Sequence, residues 1–305
     1  MTAPAVPLDR AAARRLRRAV LGWYAVARRD FPWRGTRDPY AVLVSEVMLQ
    51  QTQASRVGPR FTRFMARFPT AHDLAAAAPA DVLAEWSGLG YNRRALGLQR
   101  AAAHVAAHGW PLNVAGLQHL PGIGPYTARA VASLAFGRPV GVVDTNVRRW
   151  LLRRFGGPDH ATRLQQLADA LASPGRGPRV AAWTHATMEL GAAVCRSRHP
   201  RCDACPLASS CPSRDAAADV PVRRQAPLRG SDRAYRGAVV RILARERGRQ
   251  LGERALRGAL DAESASTGGV LEDDRWDRLL STLERDGLVN RRPGIVGLGA
   301  ATIAP

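Results

Sequence analysis

The stretch LPGIGPYTA, residues 120–128, decides the fold of this chain. Its two glycines, Gly122 and Gly124, flank Ile123 and form a tight turn whose backbone N–H groups can point outward. Pro125 suits the first turn of the helix that follows, and that helix adds the positive end of its dipole. The pattern predicts a hairpin between two helices in which Gly122, Ile123 and Gly124 bind a phosphate through main-chain donors, without reading a base.

Two other structures could use a turn with this glycine pair. A Rossmann phosphate loop does not fit, because Thr127 stands at the third glycine position and a helix, not a strand, is predicted before the turn. An ordinary turn between helices needs only the two glycines. Because the string LPGIGPYTA contains more than this pair, it favours phosphate binding over a simple turn.

Helical patterns dominate the chain on both sides of the hairpin. From Leu8 to about Cys211 the sequence is rich in alanine, with apolar residues at i, i+3 and i+4. It starts with an amphipathic helix that carries an arginine face, a pattern that does not fit a secretory signal. No stretch is long and apolar enough to cross a bilayer. These features predict an all-α core over residues 1–212.

The C-terminal part has a different organisation. Residues 213–232 lose the helical periodicity and gather proline, arginine and small residues, which predicts a linker. Residues 233–246 and 273–287 again have helical patterns, and residues 288–298 resemble a short β-ribbon. Helices followed by a ribbon predict a small winged-helix-like α+β module over residues 233–305.

The charge of the chain points to a polyanionic partner. Its 305 residues include 45 basic and 25 acidic ones, which gives a net charge of +20 at pH 7. Such an excess favours nucleic acid, since neutralised phosphates release counterions. Every basic residue is an arginine, and the sequence contains no lysine. We expect a cytoplasmic protein that binds nucleic acid.

Four cysteines form one compact group with the spacing C-x6-C-x2-C-x5-C, namely Cys195, Cys202, Cys205 and Cys211. Four thiolates on short loops can converge on a single metal centre. The asymmetric spacing favours a [4Fe–4S] cluster, with zinc as the alternative, because zinc quartets usually come as two separated pairs. Two disulfides are more typical of small secreted domains.

Glu46 is the first candidate catalytic carboxyl. Asp38 and Pro39 suit the N-cap and first turn of its helix, on which Glu46 shares a face with Val42 and Leu43. Apolar neighbours keep a carboxyl protonated more easily than water does, which suits a general acid. Exposure or a salt bridge is the alternative for a glutamate in the middle of a helix.

Asp144 is the second candidate, in the string VVDTN at residues 142–146. It precedes an arginine-bearing helix and can serve as its N-cap. It can also act as an ionised carboxylate that opposes positive charge at a sugar carbon during glycosidic cleavage. The two roles are compatible, and the sequence does not separate them.

Taken together, the hairpin, the aspartate about twenty residues further on and the cysteine spacing resemble the endonuclease III superfamily of DNA glycosylases. Within it, five strings resemble the MutY-type adenine DNA glycosylases: PWRGTRDPY (32–40), SEVMLQQTQ (45–53), GLGYNRRAL (88–96), LPGIGPYTA (120–128) and VDTNVRR (143–149). The resemblance covers roughly residues 8–212. It implies a two-lobed helix-hairpin-helix core, with a six-helix barrel lobe over about 34–143 and a cluster lobe formed by the N-terminal helix and about 144–212.

The resemblance also implies roles for single residues. Glu46 would protonate adenine N7 and help to deliver water, and Asp144 would stabilise the oxocarbenium-like or covalent sugar intermediate. Tyr126 lies where strand-cleaving members carry a Schiff-base lysine. His185 stands where many members have an adenine-contacting glutamate, and it either replaces that residue or packs within its helix.

Further residues would contact the base or the DNA. Those that match the adenine pocket are Trp33 and Arg34. Those that match the duplex wedge are Gln51, Leu89 and Tyr91, with core packing as the alternative for the last two. Those placed for phosphate contacts in the cysteine loop are Arg196, Arg198 and Arg201.

The predicted function is that of a monofunctional, monomeric enzyme that excises adenine opposite 8-oxoguanine or guanine in duplex DNA. It would flip the base and hydrolyse the N-glycosidic bond with acid assistance. The missing lysine excludes a lysine-based lyase step. The alternatives are a mismatch thymine or uracil glycosylase and a non-catalytic iron–sulfur DNA-binding protein. Residues 233–305 are too short and too helical for the NUDIX-like domain of long family members, so the preferred opposing base stays open.

Overall fold

The computed structural model describes residues 9–172, 177–214, 227–265 and 271–300, and this part of the chain is mainly helical. The helices are α1 (Arg10–Ala27), α2 (Pro39–Leu49), α3 (Ala54–Arg67), α4 (Ala71–Ala76), α5 (Pro79–Trp86), α6 (Arg93–His108), α7 (Val114–Gln118), α8 (Pro125–Leu134), α9 (Thr145–Phe155), α10 (Ala161–Ala172), α11 (Pro178–Glu189), α12 (Asp232–Arg245), α13 (Glu253–Ala265) and α14 (Asp273–Arg285). The strands are β1 (Gln250–Gly252), β2 (Val289–Arg292) and β3 (Ile295–Leu298). Among these described helices, none combines the length and apolar character that a membrane crossing requires.

The described residues form two compact units that are discontinuous in sequence. The first unit draws on the described residues within Met1–Leu43, Trp110–His119 and Ile123–Arg224. The second draws on the described residues within Val44–Gly109, Leu120–Gly122 and Gln225–Pro305. The lobe boundaries expected from the sequence, about 34–143 and 144–212, stay a prediction. The linker expected at 213–232 has residues 215–226 outside the described part of the chain.

The core of the first unit is built on the N-terminal helix. Helix α1 starts at the N-cap Asp9, and its apolar face buries Leu16, Val20 and Tyr24, as the amphipathic pattern predicts. These side chains pack in one cluster with residues of α9, α10 and α11, of which Trp150 is among the largest. The basic side of α1 leaves Arg14, Arg15 and Arg18 exposed. Burial of the apolar stripe therefore holds the N-terminal helix in this unit.

The second unit combines the helices that follow Glu46 with the C-terminal module. Helix α6 packs against α4 and α5, and α12 packs on α5. The module has the element order α12, β1, α13, α14, β2, β3, and its three antiparallel strands lie in the order β1-β3-β2. Val296 of β3 is paired with Leu251 on one side and with Arg291 on the other.

The predicted all-α core and winged-helix-like α+β module are confirmed. The ribbon expected at 288–298 is the β2–β3 hairpin. Strand β1 and helix α13 were not predicted from the sequence, although Leu256 and Leu260 of α13 are spaced for one helical face and are both fully buried. Three residues are too few for a visible alternation, and β1 exists because β3 offers it an edge for pairing.

Candidate functional site

The two glycines of the hairpin have different roles, and only Gly122 has a conformation that requires glycine. Gly122 has φ +77°, and a Cβ added there would lie 3.3 Å from the Cα of Gly97 on α6. Gly124 is the N-cap of α8, which starts at Pro125 as the sequence predicts. Ile123 between them is buried at 6% exposure, whereas both glycines are exposed. The turn is thus anchored by its isoleucine and presents its backbone outward, as a phosphate site needs.

Glu46 lies on a helix whose start is capped as expected. The Asp38 carboxylate accepts hydrogen bonds from the backbone N–H groups of Tyr40 and Ala41, each at 3.1 Å. Glu46 itself is only 5% exposed, and Leu43 and Met48 on the same helix are fully buried. The exposed alternative for Glu46 is therefore wrong. Its catalytic role stays a prediction.

Asp144 is the N-cap of α9, so that interpretation is confirmed. Its carboxylate accepts a hydrogen bond from the Val147 N–H at 2.6 Å and another from Asn146 Nδ2 at 2.9 Å. Burial raises the pKa of Asp144 above its ordinary value, and the hydrogen bonds from Val147 and Asn146 act in the opposite direction. A carboxylate with donors on both oxygens has a fixed orientation, which suits a group that must oppose a developing charge.

Arg149 connects the cap of α9 to the cysteine loop. Its Nη2 donates to Asn146 Oδ1 at 2.9 Å, and its Nε donates to the carbonyl oxygen of Cys195 at 2.7 Å. The backbone at Gly191 lies close to that of Asn146, and glycine permits this contact because a Cβ there would come within 2.5 Å of the Asn146 carbonyl oxygen. Asp144 and the first cysteine are thus joined by a continuous chain of polar contacts.

The four cysteines converge on one place. All are free thiols, and Cys195, Cys202, Cys205 and Cys211 line the same cavity. Arg153 extends toward it, with Nη1 donating to Cys195 Sγ at 3.5 Å and to the Arg196 carbonyl oxygen at 2.6 Å. Within the described ranges, no group of three or more His, Cys, Asp or Glu side chains is arranged to hold a metal ion. The convergence on one cavity supports a common ligand set.

The arginines of the cysteine loop differ in exposure. Arg198 and Arg201 are exposed, and Arg196 is half-buried. Arg196 Nη2 donates to the carbonyl oxygen of His199 at 2.9 Å, which folds its side chain back on the loop. Arg198 and Arg201 therefore carry the more accessible charges of this predicted phosphate-binding set.

Sequence reasoning missed Glu189, a carboxyl at the end of α11. Its side chain is completely buried, and it forms ion pairs with Arg29 and Arg34. Arg34 is only 12% exposed and also lies over the Phe31 ring, at 5.0 Å from the centroid. The Phe31 ring stacks on Trp33 with centroids 4.9 Å apart. Two of the residues expected at the base pocket, Trp33 and Arg34, are thus held by one charged and aromatic cluster.

His185, the residue chosen from the sequence, lies one helical turn before Glu189. Burial and the positive charge of Arg34 lower the pKa of His185 to about 4, with Glu189 acting in the opposite direction. The imidazole is therefore neutral at pH 7. The signal for Glu189 was present, because it lies in the largely apolar stretch ATMELGA and a buried charge needs a partner.

The residues expected in the duplex wedge lie at two strained turns. Gln51 and Tyr91 have positive φ angles, +56° and +47°, in a backbone region that residues other than glycine rarely adopt. Gln51 is exposed and Tyr91 is 38% exposed, whereas Leu89 is buried at 5% exposure. Core packing therefore describes Leu89 in this state, and the two polar side chains face solvent.

Arg94, which sequence reasoning also missed, holds both turns. Its guanidinium donates to the carbonyl oxygens of Val47 at 2.6 Å and Gln50 at 2.7 Å, and to that of Gly90 at 3.0 Å. Burial lowers the pKa of Arg94 to about 10, so it remains charged at pH 7. One half-buried cation thereby fixes the loop after α2 and the loop before α6. Tyr126, the remaining candidate, is half-buried in the first turn of α8.

Comparison with known proteins agrees with this architecture. Residues 44–173 match the HhH-GPD family, described as HhH-GPD superfamily base excision DNA repair protein, and they include the hairpin, Glu46 and Asp144. A thermostable thymine-DNA glycosylase of known structure is 30% identical with a TM-score of 0.61, covering 67% of this chain and 97% of that one. The fold and site thus define a helix-hairpin-helix base excision repair protein.

Two bacterial relatives indicate the family within this class of repair proteins. The adenine DNA glycosylase of Mycolicibacterium smegmatis is 42% identical over 281 residues, which cover 89% of this chain and 92% of the relative. That of Mycobacterium tuberculosis is 39% identical over 282 residues, which cover 89% of each chain. The chain belongs to the adenine DNA glycosylase family of the HhH-GPD superfamily.

Proposed function

We propose that this protein excises adenine mispaired with 8-oxoguanine or guanine in duplex DNA, by base flipping and acid-assisted hydrolysis of the N-glycosidic bond. The observation that carries the proposal is the burial of Glu46 on the apolar helix α2. A buried carboxyl can serve as a general acid, and adenine has a ring nitrogen, N7, that can accept its proton. The names of the two mycobacterial relatives support the same substrate.

The reaction has two steps at the sugar. Glu46 donates its proton to N7, and the electron pair of the bond between C1′ and N9 leaves with the base. The oxocarbenium-like sugar that remains is opposed by ionised Asp144, either through space or by a transient bond. Water then adds to C1′, and its proton returns to the Glu46 carboxylate. The enzyme and its charges are restored at the end of the cycle.

The contacts of Asp144 favour its ionised form, although burial has the larger effect and raises its pKa above the ordinary value. Both carboxylate oxygens accept hydrogen bonds, one from the Val147 N–H and one from Asn146 Nδ2. The cap of α9 also adds the positive end of the helix dipole. The fixed carboxylate, once ionised, would oppose positive charge at the sugar.

Tyr126 and the composition of the chain favour hydrolysis without strand cleavage. A β-lyase of this superfamily forms a Schiff base through a lysine, and the sequence contains none. The phenol at position 126 offers no amine for that step. The DNA strand is therefore expected to stay intact at the abasic site until alkali is added.

The remaining site residues would recognise the flipped base and open the duplex. Trp33 would line the pocket from its stack with Phe31, Arg34 is fixed by Glu189, and neutral His185 offers one donor and one acceptor. Gln51, Leu89 and Tyr91 would enter the stack while the base is out. Insertion of Leu89 requires that it leave its present packing.

The cysteine loop would hold a [4Fe–4S] cluster, ligated by Cys195, Cys202, Cys205 and Cys211. Four free thiols around one cavity fit such a group, and Arg153 is placed to donate to a ligand sulfur. When bound, the cluster would cross-link the loop rather than take part in hydrolysis. The hairpin Gly122–Ile123–Gly124 and the loop residues Arg196 and Arg198 would then contact phosphates, with the protein acting as a monomer on nucleoid DNA.

A mismatch thymine or uracil glycosylase is the second candidate, because a thymine-DNA glycosylase structure is 30% identical to this chain. Pyrimidines have no N7, so a buried acid on α2 would have no comparable task. The retained Glu46 therefore favours adenine over thymine and uracil.

The test is single-turnover base release from duplexes that differ at one pair: A opposite 8-oxoguanine, A opposite guanine, T opposite guanine and U opposite guanine. We expect release of adenine only, and strand breaks only after alkali. Asp144→Asn should bind the same duplexes without releasing base. Release of thymine or uracil would overturn the substrate, and binding without any release would favour a non-catalytic DNA-binding protein.

A further inference from the structure

Tyr91, a residue of the proposed wedge, is contacted by the C-terminal module. Arg233, in the first turn of α12, donates from Nη1 to the Tyr91 hydroxyl oxygen at 2.9 Å. The same guanidinium lies 5.8 Å from the centroid of the Tyr91 ring, and that of Arg94 lies 5.6 Å from it. The side chain of this partly exposed tyrosine is thus held by two cations. Arg94 comes from α6, and Arg233 comes from the C-terminal module.

The start of α12 is itself firmly placed within this unit. Asp286, at the end of α14, pairs with Arg236 of α12 and with Arg93 of α6, the latter at 3.5 Å. Arg249 forms a further ion pair with Asp81 of α5 at 3.0 Å. The module is therefore tied by charge to the two helices that flank the Tyr91 turn, in addition to the packing of α12 on α5.

A residue that wedges into DNA must resist being pushed aside by the bases it displaces. Tyr91 has a backbone conformation with φ +47°, which costs free energy and persists only when its surroundings enforce it. Arg94 holds the backbone carbonyl of Gly90 beside it, and Arg233 holds the far end of the side chain. The backbone beside Tyr91 and the hydroxyl end of its side chain are thereby both fixed before DNA binds. This lowers the conformational entropy lost when the side chain inserts into the duplex.

We propose that Arg233 is a positioning residue for base extrusion, and that the C-terminal module acts on the reaction by bracing Tyr91 as it enters the duplex. The inference rests on the proposed function, since it assigns Tyr91 to the wedge. It gives the module a role in opening the duplex that does not depend on reading the base opposite adenine.

The test compares the 305-residue chain with its variants Arg233→Ala, Arg233→Lys and a matched control, Arg254→Ala. Arg254 is exposed on α13 of the same module, so its loss changes the net charge equally. Unstacking is followed by stopped-flow fluorescence of 2-aminopurine placed beside an adenine opposite 8-oxoguanine. We expect Arg233→Ala to slow the fluorescence rise and single-turnover base release by about tenfold at saturating enzyme, as for loss of one charge-assisted hydrogen bond. Arg233→Lys should recover part of the rate, and Arg254→Ala should match the parent.

A double-mutant cycle tests whether the effect passes through the phenol. Tyr91→Phe removes the acceptor but keeps the ring, so Arg233→Ala should cost less in that background than in the parent. Additive effects would overturn the proposal, as would a fluorescence rise for Arg233→Ala equal to that of Arg254→Ala. A change confined to the DNA dissociation constant would overturn it too, because it would mark Arg233 as a phosphate contact.

The same assay, run also on duplexes with T or U opposite guanine, separates this inference from the proposed function. Should the parent unstack and release thymine or uracil but no adenine, the proposed substrate fails, while a slower rise for Arg233→Ala still supports the bracing of Tyr91. Should the parent release adenine with all variants unstacking alike, the function stands and the bracing role is overturned.

Discussion

Two glutamates in this structure are buried, and they are assigned different roles. Glu189 is paired with Arg29 and Arg34, so it serves to fix those guanidinium groups. Glu46 lies on a helix whose neighbours Leu43 and Met48 are fully buried, and the proposed reaction gives it the role of general acid. Burial alone does not distinguish the two roles, so the role of Glu46 must be tested by its effect on base release.

Replacing Glu46 with glutamine tests its role as the general acid. Glu46→Gln keeps the size and the hydrogen-bonding capacity of the side chain but removes the proton that N7 needs. We expect base release to slow by about 100-fold to 10,000-fold, with DNA binding retained. The measurements are single-turnover release and a binding isotherm, with Glu272→Gln at an exposed position as the control. Parent-like release by Glu46→Gln would remove Glu46 from the mechanism.

His185 predicts a pH dependence of stability. Its pKa is lowered from 6.5 to about 4 in the folded chain, so the unfolded chain takes up a proton between these values and the folded one does not. Above pH 6.5 the imidazole is neutral in both states and does not lower the stability of the fold. As the pH falls from 6.5 to 5, the free energy of unfolding decreases by about 2 kcal/mol.

Chemical denaturation at pH 7 and pH 5 checks this expectation. His185→Gln should reduce the difference in the free energy of unfolding between the two pH values, whereas His72→Gln, at an exposed position, should leave it unchanged. An identical pH response of His185→Gln and the parent would contradict the lowered pKa.

At the scale of elements, the sequence predicted what depends on local patterns. The caps Asp38 and Asp144, the start of α8 at Pro125 and the amphipathic α1 all follow from a few neighbouring residues. It did not predict what depends on distant partners. The contacts of Arg94 with the loop after α2 span more than forty positions, and no periodicity in the sequence indicates them.

The hairpin offers a matched pair of glycines for a stability test. Gly122→Ala places a Cβ at φ +77° and 3.3 Å from the Gly97 Cα, whereas Gly124 has φ −85° and open space around it. We expect Gly122→Ala to lower the free energy of unfolding by about 1–2 kcal/mol, because the left-handed region disfavours a side chain. Gly124→Ala should cost much less. Equal losses in urea denaturation would show that the turn does not depend on this backbone conformation.

The cysteine loop predicts a coupled loss of metal and structure. Cys202→Ser should lower the iron content per chain and the visible absorbance, because the proposed cluster would lose one of its four ligands. The loop over residues 195–214 should then become more sensitive to protease, since ligation closes it. Ser209→Ala, at an exposed position in the same loop, is the control. Full iron content in Cys202→Ser would exclude this residue from the ligand set.

At the scale of the whole molecule, a net charge of +20 makes non-specific attraction to DNA strong, so selectivity must come from steps after the encounter. Arg198, exposed in the cysteine loop, is expected to contribute to the encounter alone. Arg198→Ala should weaken binding to matched and mismatched duplexes equally and reduce the slope of log K against log salt by about 0.9, the value for one phosphate contact. Titrations at several salt concentrations measure this, with Arg254→Ala as the control. A loss confined to the mismatched duplex would instead assign Arg198 to recognition, and an unchanged slope would remove it from the DNA surface.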